Sequence, residues 1–295
     1  MESATHIFMQ LRPRLLGVAY RMLGSLAEAE DVVQDVWLSW NEADPSQLSD
    51  AEAWLVIATT RRAIDRLRRG RTDRERYVGI WLPEPILTDG PATPEQVQEV
   101  SSNLSIAFLT VLERLTPEAR AAFLLREVFD ADYTEIARTL DKSEAACRQI
   151  VHRAKSQLRE ERPRYVVSAE AHQRVMRRFA EAWSNADFKA MKEMMADSAT
   201  LVGDGGGITS SFPKPMVGGQ RIAQLLFAST LRDQHDLQIK LASINGRLGV
   251  LRYIAGELES AQSYDTDGER IVHIYVQRNP EKLRRIADNR LSVLN

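Results

Sequence analysis

The chain has a single cysteine, Cys147, in 295 residues. That excludes a disulfide framework and any zinc or iron–sulfur site built on several thiolates. No apolar run approaches the ~18 residues of a membrane span. Met1 to Gln10 lacks a basic segment followed by an apolar core, so no export signal is expected and the cytoplasm is the default location. Five histidines show no metal-ligand spacing, and no phosphate-cradling glycine loop is present, so neither metal nor cofactor is expected. Net charge is also scarce, at −2. Yet the chain is 44% hydrophobic and 27% charged, a globular balance that excludes a disordered chain. The length implies about two domains.

The near-zero sum argues against nucleic acid only until the charges are placed. Met22 to Thr60 has no Lys or Arg and eight acids. Arg61 to Arg76 has eight arginines and three acids. Tyr77 to Glu113 again has no base and five acids, and Arg138 to Arg164 has eight bases against four acids. Each block alone could be a solvated face. Two separated basic blocks on predicted helices suit two nucleic-acid contacts better.

Ser25 to Glu28 fits a capping box. Ala29, Val32, Val33, Val36, Trp37 and Trp40 then form one helical stripe, leaving Glu30, Asp31, Gln34 and Asp35 on an acidic outer face. A polar loop, Asn41 to Asp50, follows. A helix from Ala51 to about Arg69 buries Ala53, Trp54, Ile57, Ile64 and Leu67 and leaves Arg61, Arg62, Arg66, Arg68 and Arg69 outside. Pairing with Asp65 or the helix dipole is the structural alternative for some of these arginines.

Four prolines between Tyr77 and Val97 block a long helix and read as a linker. It contains Trp81-Leu82-Pro83-Glu84-Pro85, whose apolar pair is unusual in a passive tether. Thr116-Pro117-Glu118 starts the next helix. Asp132 caps a short helix, and Ser143 caps another whose inner stripe is Cys147, Ile150, Val151, Ala154 and Leu158. Arg148, Gln149, His152 and Arg153 lie opposite. A short helix, a tight turn and a cationic second helix form a helix-turn-helix pattern. The alternative is an αα-hairpin with a solvated face.

Composition changes after Pro163. Two helices, around Val175 to Trp183 and Phe188 to Met195, precede a strand at Ala199 to Gly203 and the turn Asp204-Gly205-Gly206-Gly207. A helix at Gly219 to Ser229 follows. Four strand-like runs come next, at Leu237–Ile244, Leu248–Ala255, Glu257–Tyr264 and Arg270–Gln277. A last extended piece is expected at Leu283 to Asp288. This order predicts an α+β domain with a curved antiparallel sheet.

The residues also carry a resemblance. Glu30-Asp31-Val32-Val33-Gln34-Asp35-Val36-Trp37 resembles region 2.2 of bacterial sigma-70-type factors. Ala53-Trp54-Leu55 through Arg69 resembles regions 2.3 and 2.4, and Leu115 through Lys155 resembles region 4. With regions 1 and 3 absent, residues 1 to about 162 look like an extracytoplasmic-function sigma factor. The tail resembles a SnoaL-like (NTF2-like) domain, as in the sigma factor J-like branch. Three motifs of that branch match: Trp81–Pro85, Asp204–Gly207, and Asn279-Pro280-Glu281-Lys282-Leu283. Ile208 stands where a lysine usually follows the glycines, and Glu281 where aspartate is more common.

The resemblance implies a multidomain chain. Two all-α domains are expected, a region 2 bundle at 1–76 and a region 4 helix-turn-helix at 112–162, joined by a linker at 77–111. An α+β NTF2-like cone is expected at 168–295. It implies that Asp31, Gln34 and Asp35 dock on the core RNA polymerase β′ clamp, with region 4 meeting the β flap. The Asn41–Asp50 loop with Arg61, Arg62 and Arg66 would take the promoter −10 element. Arg148, Gln149, His152 and Arg153 would read the −35 element, with Lys155 on phosphate. His152 could instead cap or pack. The three branch motifs would form an interdomain, regulatory contact, or else a stiff proline spacer and a tight turn.

An enzymatic tail would need a tuned acid–base pair in an apolar pocket. Ile271, His273 and Tyr275 are expected on one strand face, with Asp204 and Asp288 as further candidates, but no compact pair is visible. The expectation is therefore a promoter-specificity factor with no catalytic residue and no membrane contact. Its tail either holds the sigma lobes in one arrangement or binds a small-molecule ligand that changes it. The alternative is a DNA-binding regulator whose tail is a cyclase- or isomerase-type enzyme or a small-molecule sensor.

Overall fold

The structure is a computed structural model that describes residues 2–42, 50–88, 103–159, 167–233 and 235–288. Most of the Asn41–Asp50 loop and the linker from 89 to 102 lie outside the described residues. Among those described, residues of 1–75 and 109–162 form one compact unit, and residues of 76–108 and 163–292 form a second.

The first unit is helical. Helices α1 (Glu2–Leu23), α2 (Leu26–Glu42) and α3 (Ala51–Glu75) pack around Tyr20, Val36, Trp40 and Leu55, all fully buried. Trp37 packs against Phe8 in a tilted pair with ring centroids 4.7 Å apart. The stripe expected on α2 is the buried one, except that Trp37 is half-buried. Ser25 accepts from the Glu28 amide at 3.4 Å, as the cap predicts. Helix α3 runs past Arg69 through Gly70, one turn and a half longer than the sequence reading.

Helices α4 (Ile106–Leu112), α5 (Pro117–Glu127), α6 (Tyr133–Leu140) and α7 (Glu144–Arg159) follow. Their starts are chemical. Thr116 accepts from the Ala119 amide, and Pro117 sits where a missing N–H costs nothing. Asp132 and Glu135 close a reciprocal capping box at 2.7 and 3.0 Å. Ser143 accepts from Ala146 at 3.2 Å. Cys147, Val151, Ala154 and Leu158 are buried, and burial pushes the Cys147 thiol up, leaving it unreactive.

The second unit is an α+β cone. Helices α8 (Ala169–Ser184), α9 (Phe188–Glu193) and α10 (Gly219–Asp233) cover one face of a six-stranded sheet. The strands are β1 (Met195–Asp204), β2 (Met216–Val217), β3 (Leu237–Ile244), β4 (Arg247–Ile254), β5 (Glu257–Thr266) and β6 (Ile271–Gln277). Their order is β2-β1-β6-β5-β4-β3. The sheet is mixed rather than antiparallel, because β1 and β6 run parallel. That pairing sets Asp204 beside Gln277. The β3–β4 hairpin turns on Asn245-Gly246, both at positive φ, the chemistry of a two-residue primed turn.

Two expectations fail here. Leu283 to Asp288 is not extended but belongs to helix α11 (Pro280–Ala287), capped by Asn279 with Pro280 in its first turn. Ile271 does not share a face with His273 and Tyr275. A register irregularity between Asp265 and Thr266 turns it into the core with Ile274 and Val276.

Candidate functional site: a nucleic-acid face and a linker anchor

In the first unit, α7 presents Arg148, Gln149, His152 and Arg153 to solvent, opposite its buried stripe. Arg148 lies 4.9 Å from the Tyr133 ring and pairs with Glu144 at 2.8 Å. Lys155 is half-buried and pairs with Glu127 at 2.8 Å. His152 is exposed, so it packs into no core.

Arg61, Arg62 and Arg66 of α3 are all engaged, none of them with Asp65. Arg61 donates to the Arg138 and Thr139 carbonyls at 2.6 and 2.9 Å, at the end of α6. Arg62 reaches Ser39 at 2.5 Å and the Asp35 carbonyl at 3.3 Å. Arg66 pairs with Glu28 at 3.1 Å and Asp31 at 3.3 Å. The hydrogen bond to Glu28, with the charges of Glu28, Asp31 and Asp35, raises the Arg66 pKa. Arg68 contacts the Asp65 carboxylate at 3.4 Å and pairs with Glu118 at 2.6 Å, and Arg69 donates to the Asp65 carbonyl at 3.4 Å. Asp31, Gln34 and Asp35 remain exposed on the outer side of α2.

The sequence reading missed a buried clasp in this unit. Arg120, 3% exposed, donates to the Met22 carbonyl at 2.6 Å and to Glu113 at 2.7 Å. Arg74 also pairs with Glu113 and donates to the Leu23 carbonyl. Two guanidiniums thus sit on the carbonyl end of α1, where the helix dipole is negative.

In the second unit the three short motifs come together. Asp204 is fully buried, and five donors converge on it. Its Oδ1 accepts from the Tyr77 hydroxyl at 2.6 Å and the Gly206 amide at 2.9 Å. Its Oδ2 accepts from the Leu82 amide at 2.9 Å, Gln277 Nε2 at 3.1 Å and Lys282 Nζ at 2.7 Å. The Lys282 ammonium also donates to the Leu82 carbonyl at 2.7 Å and lies 4.3 and 4.8 Å from the Trp81 and Tyr77 rings. Asn279 donates to the Tyr77 hydroxyl at 3.0 Å. Burial, then the bond to Asp204, pushes the Tyr77 phenol well above its usual value.

Leu82, Pro83, Glu84 and Pro85 are buried, and Trp81 is half-buried. Glu84 faces Arg285 at 3.6 Å. The linker continues as a strap: Leu87 bridges Ile244 on the edge strand β3, and Ile86 and Asn245 exchange two hydrogen bonds of 3.0 and 2.9 Å. This covers an otherwise open sheet edge. Leu283 and Ile286 of α11 pack with Leu251 and Ala261 beneath.

The glycines have a steric reason. Gly206 sits at φ +63°, and a Cβ there would stand 2.3 Å from Asn279 Nδ2; one on Gly207 would stand 3.0 Å from Val78 Cβ. Gln277 and Tyr77 escaped the sequence reading. Extending the His273–Tyr275 alternation by two residues would have found Gln277.

The other catalytic candidates do not gather. His273 Nδ1 is bonded to Thr200 Oγ1 at 2.6 Å, Asp288 is exposed at the end of α11, and Asp204 is consumed by its donors. Among the described residues, no group of acids, histidines and cysteine could hold a metal, and no helix is long and apolar enough to cross a membrane.

Comparison with known proteins gives two family matches: Sigma-70 region 2 over residues 7–72, and Sigma-70, region 4 over residues 105–158. The chain is 33% identical to the ECF RNA polymerase sigma factor SigJ of Mycobacterium tuberculosis, over 92% of this chain and 86% of that protein. It is 29% identical to the probable ECF RNA polymerase sigma factor SigI of the same organism, over 92% of each. The crystal structure of M. tuberculosis SigJ superposes with a TM-score of 0.76 at 29% identity, covering 95% of this chain and 98% of that one.

Proposed function

The chain belongs to the extracytoplasmic-function sigma factors of RNA polymerase, and from that premise we propose how its surfaces divide the work. Asp31, Gln34 and Asp35 dock on the polymerase β′ clamp, and region 4 meets the β flap. Arg61, Arg62 and Arg66 take the −10 element. Arg148, Gln149, His152 and Arg153 read −35 base edges, with Lys155 on phosphate. The observation that carries this reading is α7. Four donors stand exposed on one side of the second helix of a helix-turn-helix whose other side is buried. Arginine and glutamine side chains so placed suit guanine and adenine edges in a major groove.

The α3 arginines add a condition. Arg61 holds the carbonyl end of α6, so it meets DNA only after releasing region 4. Arg66 must likewise leave Glu28 and Asp31. The second unit is regulatory rather than catalytic in this reading. The acid lining its cavity, Glu259, is half-buried, but Arg278 and Arg252 outweigh that desolvation and hold it below the usual carboxylate range. A carboxylate clamped in that way is a poor proton donor or acceptor at neutral pH.

Run-off transcription with core polymerase tests the assignment. Promoter-dependent product is expected with the full chain. A paired Arg148→Ala/Gln149→Ala change should reduce it at least about tenfold, since each good base contact is worth about 1–3 kcal/mol. Product that is unchanged by that pair on every selected promoter would remove the −35 assignment.

A further inference from the structure

The second unit has a cavity of about 300 Å³ between the inner sheet face and helices α8 and α10. That is the lower end of ligand pockets, which run to about 1,000 Å³, and it suits a molecule of one or two rings. Leu201, Leu225, Leu226, Val276 and Phe212 make its apolar lining. Phe212 is 37% exposed, so the cavity opens to solvent beside a partly uncovered aromatic ring. Such a ring at the edge of an apolar recess is surface that a ring-shaped ligand would bury.

The charged side of the cavity is balanced within itself. Arg252 pairs with Asp233 at 2.6 Å and Glu259 at 2.9 Å. Arg278 pairs with the same Glu259 at 2.5 Å and donates to the Ser210 carbonyl. Two guanidiniums thus meet two carboxylates, and the four charges satisfy one another. Arg232 also lines the cavity, but its side chain is 71% exposed and pairs with Asp233 at 3.0 Å, so its charge is screened. A ligand ion would find no free counter-charge here and would lose part of its hydration. One neutral group is placed differently. Ser211 is half-buried on the lining, and its hydroxyl has no hydrogen-bond partner among the described residues.

We propose that this cavity binds a small neutral ring compound, aromatic or alicyclic, that carries one hydroxyl or carbonyl oxygen. Its ring lies against the leucines, Val276 and Phe212. Its oxygen bonds to the Ser211 hydroxyl, which can donate or accept. The balanced charges select against an acid and an amine alike, because either would enter a partly dry site unpaired. The proposal deepens the regulatory reading of this unit, on which the biological use of the ligand rests. Binding itself is measured without polymerase, so the two can fail separately.

The test is calorimetric titration of the full chain with 2-naphthylmethanol, its acid analogue 2-naphthoate, the cation 2-naphthylmethylammonium and the hydrocarbon 2-methylnaphthalene. The alcohol should bind at least about tenfold more tightly than either ion. Ser211→Ala should weaken the alcohol about three- to tenfold, the worth of one neutral hydrogen bond, and leave the hydrocarbon unchanged. Leu225→Trp, which fills the apolar lining, should abolish binding of the alcohol with the melting transition retained; if that variant unfolds, Ser211→Ala and the ligand series decide. An ion bound as tightly as the alcohol, no binding of the alcohol, an alcohol affinity that Ser211→Ala leaves unchanged, or binding that survives in a folded Leu225→Trp chain would each overturn the proposal.

Discussion

Replacing Asp204 with Asn removes one negative charge and almost no volume, so its effect isolates the electrostatics of the linker anchor. The carboxylate accepts from five donors, two on Oδ1 and three on Oδ2. An amide has one oxygen. Turned to keep it at the Oδ2 position, it presents N–H₂ to Tyr77 and Gly206. The Tyr77 hydroxyl can rotate and accept, but the Gly206 amide is left without a partner, at about 1–3 kcal/mol. Lys282 loses its counter-charge while 13% exposed, though it keeps the Leu82 carbonyl and two aromatic faces. The sum falls at about 3–5 kcal/mol, the usual range for breaking a buried pair from one side.

That cost should appear first as release of the linker. In hydrogen exchange the Leu82 amide should open about a hundredfold more often, since about 3 kcal/mol is two decades. The Val250 amide, inside the β4–β5 pairing, serves as the internal reference. Lys282→Met should be costly alone, and the double variant should cost less than the two added, with a coupling of about 1–3 kcal/mol. Leu82 exchange at the wild-type rate in Asp204→Asn would refute the reasoning.

Three further outcomes follow from single positions in the two units. Gly206→Ala should lower the unfolding midpoint, through about 1–2 kcal/mol of left-handed backbone strain plus a clash with Asn279. Gly70→Ala, in helix α3 with nothing within 4 Å of the new Cβ, should raise it by about 0.5–1 kcal/mol; thermal melts of both compare directly. His172 is buried, and burial, with the nearby Arg247 charge, takes its pKa from 6.5 down to about 4. Below pH 6.5 the unfolded imidazole binds a proton that the folded one refuses, so stability is lost as pH falls towards 4, on the order of 3 kcal/mol in all. Asp265, whose carboxyl burial pushes up, titrates in the opposite sense but is common to wild type and His172→Gln. Urea midpoints at pH 7 and 4.5 should therefore diverge less in the variant, and an equal divergence would contradict the assignment.

The helical half was legible because its signals are local. Caps at Thr116, Asp132 and Ser143 and the stripe from Ala29 to Trp40 each depend on residues a few positions apart. Helix α11 carried the same start signal, Asn279-Pro280-Glu281, as Thr116-Pro117-Glu118, yet was read as extended because the preceding strands set the expectation. Helix α1 went unread and runs through Pro13, a residue that in sequence terms marks a break. The parallel β1–β6 pairing was out of reach, since its partners are some 70 residues apart and β1 gives no hint of direction. The motifs at Trp81, Asp204 and Asn279 could be singled out but not joined. What joins them is that register, which sets Asp204 against Gln277, and a tyrosine no motif contained.

The alternation of acidic and basic blocks has a second meaning once the ion pairs are placed. The acids were expected to serve polymerase and the bases DNA. In the first unit they also serve each other: Arg66 is held by Glu28 and Asp31, Arg68 by Glu118, and Arg74 and Arg120 by Glu113. Exposed pairs such as Arg66–Asp31 are worth about 1 kcal/mol or less and are screened by salt, so on the proposed −10 assignment they would delay DNA without forbidding it. The Arg120–Glu113 pair is buried and structural, and no promoter contact can draw on it. A protein surface that covers Asp31 and Asp35 would leave Arg66 without part of its present partnership and turn its charge outward. On the proposed assignments, polymerase docking on α2 and −10 binding by α3 would form one linked equilibrium, in which each raises the affinity for the other by the same factor.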